Sequence, residues 1–211
     1  DINMRVVNCT TAAQYFHVLR RQAAVLVSDP LPLIILTPKG LLRHPFTASS
    51  PNDLATGRWQ PVIDDQGVED VNTITRLILC SGKVAVDLLT HASRTTHGHV
   101  AICRVEQLYP FPDDVLASVL GRYPHVTEVT WMQEEPENMG AWGFVQPLLL
   151  NIVGATRPRV TLIARPRSSS PAEGSAARHA QTQEDLMAAA WAQAPATARL
   201  KKKRLKKGSR N

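Results

Sequence analysis

From Thr75 onward the chain alternates regularly between short strand-like runs, turns and helical stretches, without an internal sequence repeat. The strand-like runs are Leu77–Cys80, Val100–Val105, the alternating His125–Trp131 and Val160–Ala164; the helical stretches are Val84–Ala92, Asp113–Leu120, the segment after Asn138, and Gln181–Trp191. Short apolar runs separated by helices suit strands buried on both faces of a sheet, with helices as the crossovers. The pattern predicts an α/β fold, a mostly parallel sheet with helices on both faces. Right-handed crossovers then set Ser81–Lys83, Leu108–Pro112, Glu134–Asn138 and Arg165–Ser170 along one edge of that sheet.

The N-terminal part carries one more unit of the same kind. Met4–Cys9 reads as a strand, and Thr10 and Thr11 are N-cap candidates for a helix over Ala12–Ala23, in which Tyr15, Val18, Leu19 and Gln22 keep helical spacing. Asp29-Pro30-Leu31-Pro32 breaks the pattern, and Leu33–Leu36 reads as a strand buried on both faces. Nothing precedes this strand–helix–strand unit, so residues 1–37 are expected to be the end of a second α/β domain and the chain a fragment of something larger. Residues 38–73 are irregular and proline-punctuated, and read as a linker with one helical turn at Lys39–Arg43 and another at Pro51–Ala55. Residues 74–192 form the sheet domain, and 193–211 a basic tail expected to be disordered.

Charge narrows the partners. The formal net charge is +6, but residues 199–211 alone hold eight Lys or Arg and no acid. The remainder carries sixteen basic against eighteen acidic residues, a net of −2, so the globular body makes no case for nucleic-acid binding. The tail does, since like-charge blocks of this size hold phosphate backbones by counterion release; a solvated extension without a partner is the plainer reading. No apolar run approaches the roughly 20 residues of a membrane span. The three cysteines, Cys9, Cys80 and Cys103, sit in or beside apolar runs and read as reduced core thiols of an intracellular protein.

The chemistry-bearing residues gather at strand ends. In Trp131–Trp142, Pro136 cannot donate to a sheet ladder, so the strand should stop near Glu135; Asn138 is the expected N-cap and Gly140 eases the start of the next helix. Glu134, Glu135 and Glu137 therefore collect at a strand-to-helix junction, either as interface chemistry or as helix caps paired with arginines. Ser81-Gly82-Lys83 resembles the end of a phosphate loop without its glycine-rich part, and a tight turn with an exposed lysine is the simpler reading. Arg165 and Arg167, with the hydroxyls of Ser168–Ser170, suit an anion or pair with Glu134 and Glu135 across a subunit contact. Lys39 and Arg43, one helical turn apart, suit an anion as well. The seven histidines show no metal spacing, and His179 ahead of the last helix reads as a surface or interface group. No nucleophile–base pair, paired-carboxylate site or dinucleotide fingerprint supports catalysis by this chain alone.

Five motifs, in order, carry a resemblance: Thr10–Gln22, Thr37–Pro45 (Thr-Pro-Lys-Gly-Leu-Leu-Arg-His-Pro), Leu79–Lys83, Val105–Pro112 (Val-Glu-Gln-Leu-Tyr-Pro-Phe-Pro) and Gln133–Trp142 (Gln-Glu-Glu-Pro-Glu-Asn-Met-Gly-Ala-Trp). Together with Arg165–Gly174 and His179, they closely resemble the C-terminal part of the 2-oxoglutarate dehydrogenase family, over roughly residues 3–191. The resemblance implies that residues 1–37 end a pyrimidine-binding-type domain and that the rest is transketolase C-terminal-domain-like. It implies thiamine diphosphate and Mg²⁺ in the whole enzyme, with the residues that hold them upstream, so no catalytic or cofactor-binding residue is carried over. It implies partners: the N-terminal part of the dehydrogenase, a homodimer mate, and an acetyl-CoA or nucleotide effector at Thr37, Lys39, Arg43, Ser81, Lys83 and Arg165. Interface roles fall to Glu134, Glu135, Asn138, Arg167 and His179, and the compartment to a mitochondrial matrix or a bacterial cytoplasm. Met139 stands where the family usually has Gln, and the lysine-rich tail also departs from the family. The alternative is a repurposed non-catalytic module whose 199–210 tail contacts RNA.

Overall fold

A computed structural model describes residues 2–154 and 158–192; the basic tail expected at 193–211 lies outside the described residues. The elements are β1 (Arg5–Val7), α1 (Ala12–Val25), β2 (Leu33–Ile35), α2 (Pro51–Thr56), β3 (Val62–Ile63), β4 (Arg76–Cys80), α3 (Lys83–Thr90), β5 (Val100–Val105), β6 (Gln107–Tyr109), α4 (Asp113–Gly121), β7 (Glu128–Pro136), α5 (Trp142–Val153), β8 (Arg159–Arg165) and α6 (Ala176–Trp191). They build two mixed sheets, a small one in the order β2-β1-β6 and a larger one in the order β3-β5-β4-β7-β8.

In the larger sheet β4 pairs in parallel with β5 and β7, and β7 with β8, while β3 runs antiparallel to β5. Successive residues of a strand point to opposite faces. Leu77, Leu79, Ala101, Cys103, Val129 and Trp131 therefore face one side, where Leu116 of α4 and Val145 and Leu149 of α5 cover them. Ile78, Cys80, Ile102 and Met132 face the other, under Val84, Ala85 and Leu88 of α3 and Leu186, Met187 and Trp191 of α6. The α/β class with helices against both faces of this sheet follows from the doubly apolar strands.

Four local expectations need correction. β3 and β6 are strands where irregular chain was expected; they are two and three residues long, too short for a periodic signal, and each is held by antiparallel pairing. The stretch expected as a linker thus supplies an edge strand to the larger sheet. Helix α1 begins at the expected place, its N-cap Thr11 accepting from the Gln14 amide at 3.2 Å, but the buried residues are Gln14, His17 and Val18, while Tyr15 and Leu19 stay exposed. The two polar side chains bury because backbone satisfies them: Gln14 Nε2 donates to the Gln60 carbonyl at 2.6 Å, and His17 Nε2 meets the Asp53 carbonyl at 2.8 Å. β2 is not buried on both faces either. It is the edge strand of the small sheet, with Ile34 exposed between half-buried neighbours. α6 starts at Ala176, earlier than expected, because Ser175 caps it ahead of the first apolar repeat.

The ends of the larger sheet are tied by charge. Arg76 Nε donates to Glu128 Oε2 at 2.9 Å, Arg159 donates to Glu128 Oε1 at 2.8 Å, and Arg76 also reaches the carbonyls of Ala189 at 3.3 Å and Ala190 at 3.0 Å. One buried guanidinium thus joins β4, β7 and the C-terminal turn of α6. Burial alone would push the Glu128 carboxyl up; the hydrogen bonds from Arg159 and Arg76, with the charge of Arg76, outweigh it and hold it below its ordinary value.

Candidate functional site

β4 lies between β5 and β7, so the crossovers leave its two sides in opposite directions and open a crevice beyond the C-terminal ends of β4 and β7. Ser81, Gln133, Glu135 and Gly140 border it, and Val6 and Asn8 approach from the small sheet. The close approach is made by Gly82. Its φ is +67°, and a Cβ there would stand 2.2 Å from Asn8 Nδ2. Only a residue without a side chain lets Asn8 of the N-terminal unit seat against the turn before α3.

The turn after β7 is organised by Gln133. Its Oε1 accepts from Trp131 Nε1 at 3.1 Å and the Trp142 amide at 3.0 Å, while its Nε2 donates to the carbonyls of Pro136 at 3.0 Å and Met139 at 2.7 Å. Gly140, at φ +64°, lets the turn close over that amide. Sequence reasoning passed over Gln133 because nothing local shows that a glutamine amide will be buried. Asn138 is not the N-cap of α5; that position is Ala141, with no side-chain bond. The Asn138 side chain instead pairs with Ser168 after β8, donating to its carbonyl and accepting from its amide, both at 2.9 Å. β7 and β8 are adjacent, so the two turns meet and Asn138 is drawn sideways.

Lys83, Arg165 and Arg167 have carboxylate or carbonyl partners. Lys83 pairs with Asp87 one helical turn on, and its Nζ lies 3.9 Å from Glu134 Oε2. Burial raises the Glu134 carboxyl above its ordinary value, with Lys83 opposing and Glu135 adding. Arg165 donates from Nε to the Glu134 carbonyl at 2.6 Å and lies 3.9 Å from Glu173; Arg167 meets Glu137 at 3.3 Å. His179, in the first turn of α6, lies 3.2 Å from Glu173. The hydrogen bond from Thr182, ahead of that from His179, holds the Glu173 carboxyl below its ordinary range. Lys39 and Arg43 are exposed around a short 3-10 turn, and Lys83 Cε comes within 3.7 Å of where a Cβ on Gly40 would sit. Lys39–Leu41, Lys83, Glu134 and Arg165 therefore share one edge, while Thr37 lines a separate cavity with Cys9, Thr10 and Leu41. Glu135 faces the crevice.

A second group escaped the sequence reading. Glu106 is fully buried and accepts from the Thr10 amide at 2.9 Å and the Thr10 hydroxyl at 2.5 Å, and Arg104 donates to that hydroxyl at 2.9 Å. Burial raises the Glu106 carboxyl against these hydrogen bonds. The cluster ties the start of α1 to the end of β5. It explains the glutamate of Val105–Pro112.

Comparison with known proteins now decides the family. A family model described as 2-oxoglutarate dehydrogenase C-terminal matches residues 48–191, which takes in the larger sheet and its side of the crevice. The chain belongs to the 2-oxoglutarate dehydrogenase C-terminal family. It is 44% identical over 189 residues to the 2-oxoglutarate dehydrogenase E1 component of Bacillus subtilis (strain 168), 44% over 188 residues to that of Geobacillus sp. (strain WCH70), and 42% over 188 residues to that of Bacillus anthracis. These alignments cover 88%, 88% and 86% of this chain. The chain spans about a fifth of the length of these E1 relatives, 20% in each case.

Within this 2-oxoglutarate dehydrogenase C-terminal stretch, no three His, Cys, Asp or Glu side chains among the described residues cluster so as to hold a metal ion. Glu106, fully buried, is already engaged by Thr10. None of the described helices is long and apolar enough to cross a membrane.

Proposed function

We propose that this chain is the C-terminal working part of a 2-oxoglutarate dehydrogenase E1 component. It acts with the upstream portion that its relatives carry, in decarboxylating 2-oxoglutarate and passing the succinyl group to lipoyl groups. The observation that carries this reading is 44% identity across 88% of the chain to a 2-oxoglutarate dehydrogenase E1 component. In it, residues 1–37 end a pyrimidine-binding-type domain and 74–192 form a transketolase C-terminal-like domain built on a mostly parallel sheet. Residues 38–73 connect the two and lend β3 to the second. Thiamine diphosphate and Mg²⁺ belong to the upstream portion, and this part supplies packing and subunit contacts. The bacterial relatives favour a bacterial cytoplasm over a mitochondrial matrix.

The test is reconstitution. The upstream four-fifths of the Bacillus subtilis E1 component, mixed with this chain, thiamine diphosphate and Mg²⁺, is expected to release CO₂ from 2-oxoglutarate, and neither piece alone is. Turnover by this chain alone, or none from the mixture, refutes the reading.

An acetyl-CoA or nucleotide effector at Thr37, Lys39, Arg43, Ser81, Lys83 and Arg165 is part of the same proposal, with a specific demand. Lys83 and Arg165 must exchange the partners they hold in the free chain, Asp87 and Glu134 for the first and the Glu134 carbonyl and Glu173 for the second. Lys83→Ala with Arg165→Ala is expected to weaken acetyl-CoA binding; unchanged affinity removes the site. The second reading, a repurposed module, rests on the eight basic residues of 199–211. RNA that co-purifies and leaves on raising salt supports it.

A further inference from the structure

Helix α5 has no charged residue along its whole length, Trp142–Val153, although one side of it faces outward. Phe144 is 44% and Leu150 49% exposed, with Pro147 exposed between them. Phe144 continues into an aromatic group, its ring centroid 6.1 Å from that of Tyr109 and 6.2 Å from that of Phe111. Phe144 and Tyr109 also wall a cavity of about 350 Å³ between the two sheets. On its far side that cavity meets Leu36, which is 44% exposed and also lines the neighbouring cavity with Tyr15 and Leu42. The result is one apolar band from α1 across β2 to the outer face of α5. A surface helix without charge on its outer face and an apolar band of this reach mark a contact with another polypeptide.

The cavity says what that polypeptide must bring. Asn8 and Ser81 line it, and just behind its wall Asn8 Oδ1 and Ser81 Oγ are shielded from solvent with no hydrogen-bond partner among the described residues. An unpaired buried acceptor is costly, so the occupant must donate as well as fill. Four-fifths of the E1 relatives' length lies outside the matched stretch, which is more than enough polypeptide to cover the band.

We infer that the band from Tyr15 and Leu36 through the Asn8–Ser81 cavity to Phe144 and Leu150 is the seat of the upstream portion of the dehydrogenase. That portion sets an apolar side chain in the cavity and hydrogen-bond donors on Asn8 Oδ1 and Ser81 Oγ. The inference rests on the reading of the chain as a working part of that enzyme, and its test separates the two. The full chain, its Phe144→Glu/Leu150→Lys double variant and its Ser81→Ala variant are titrated against the upstream four-fifths of the Bacillus subtilis E1 component, with thermal melts of each chain alone and sedimentation to read self-association. The double variant is expected to melt like the parent and bind at least tenfold more weakly. Ser81→Ala, which removes an atom with no partner among the described residues, is expected to melt unchanged and bind several-fold more weakly. If the parent binds and the double variant binds equally well, the seat is wrong while the functional reading survives. If the band instead joins two copies of this chain, self-association lost in the double variant with upstream binding intact, the inference is overturned in favour of a homotypic contact. If the parent does not bind at all, both readings fall.

Discussion

Arg76→Met removes the guanidinium that joins β4, β7 and the end of α6 while keeping an unbranched apolar stem of similar reach. Both charges of the central pair are buried, the Arg76 and Glu128 side chains being 7% and 6% exposed. Removing one partner of a buried pair costs about 3–5 kcal/mol because the other charge is left uncompensated. Glu128 keeps Arg159 at 2.8 Å and the Thr161 hydroxyl at 3.0 Å, which places the loss at the low end, about 3 kcal/mol. With an urea m-value of about 2 kcal/mol/M for a chain of this size, the denaturation midpoint should fall by about 1.5 M. Amides of the last turn of α6 should also exchange faster, since two of its carbonyls lose their donor. The double variant Arg76→Met/Glu128→Leu leaves no buried orphan charge, since Arg159, which loses the same carboxylate, is 54% exposed, and it should be more stable than Arg76→Met alone.

The pH dependence has a definite sign. Glu128 is held below its ordinary value of 4.5, so its contribution is complete above that value and is lost as pH falls through the lower folded value. In the double variant this acid-side loss should shrink. A loss under about 1 kcal/mol in Arg76→Met, or a double variant no better than the single one, would refute the reasoning that an uncompensated buried charge is the dominant cost.

Gly82→Ala should destabilise by about 2 kcal/mol or more, lowering the melting temperature by roughly 4–8 °C, because a side chain at that φ is strained and its Cβ would collide with Asn8; an unchanged melt would show that the turn and Asn8 separate freely. Cys9 should react only slowly with iodoacetamide near neutral pH, since burial, then the nearby Glu106 charge, push its thiol up to about 12, and Cys80 and Cys103, both buried, should label only on unfolding; rapid labelling of all three thiols in the folded chain would contradict the packing of β4 and β5.

Much of this protein was written locally. β4 and β5 announce themselves because a strand buried on both faces reads as a nearly continuous apolar run, and Leu77–Cys80 and Val100–Cys103 are such runs within their own few residues. Thr11 marks the start of α1, and Pro136 the end of β7, for reasons confined to neighbouring backbone. The motifs sufficed to place the chain in its family. What tertiary structure decided was every feature whose partner is distant in sequence. Gln14 and His17 turn inward, displacing Tyr15 and Leu19, because carbonyls at Gln60 and Asp53 await them. Asn138 abandons the helix it was placed to cap because Ser168 stands opposite, and Lys83 and Arg165, which looked open to an anion, meet Asp87, Glu134 and Glu173. β3 and β6 exist only because β5 and β1 offer an edge. Periodicity records which residues avoid water; which polar group answers which is settled only when remote segments are brought together, because a hydrogen bond over a few ångströms depends on where the chain has folded and not on what lies beside it in sequence.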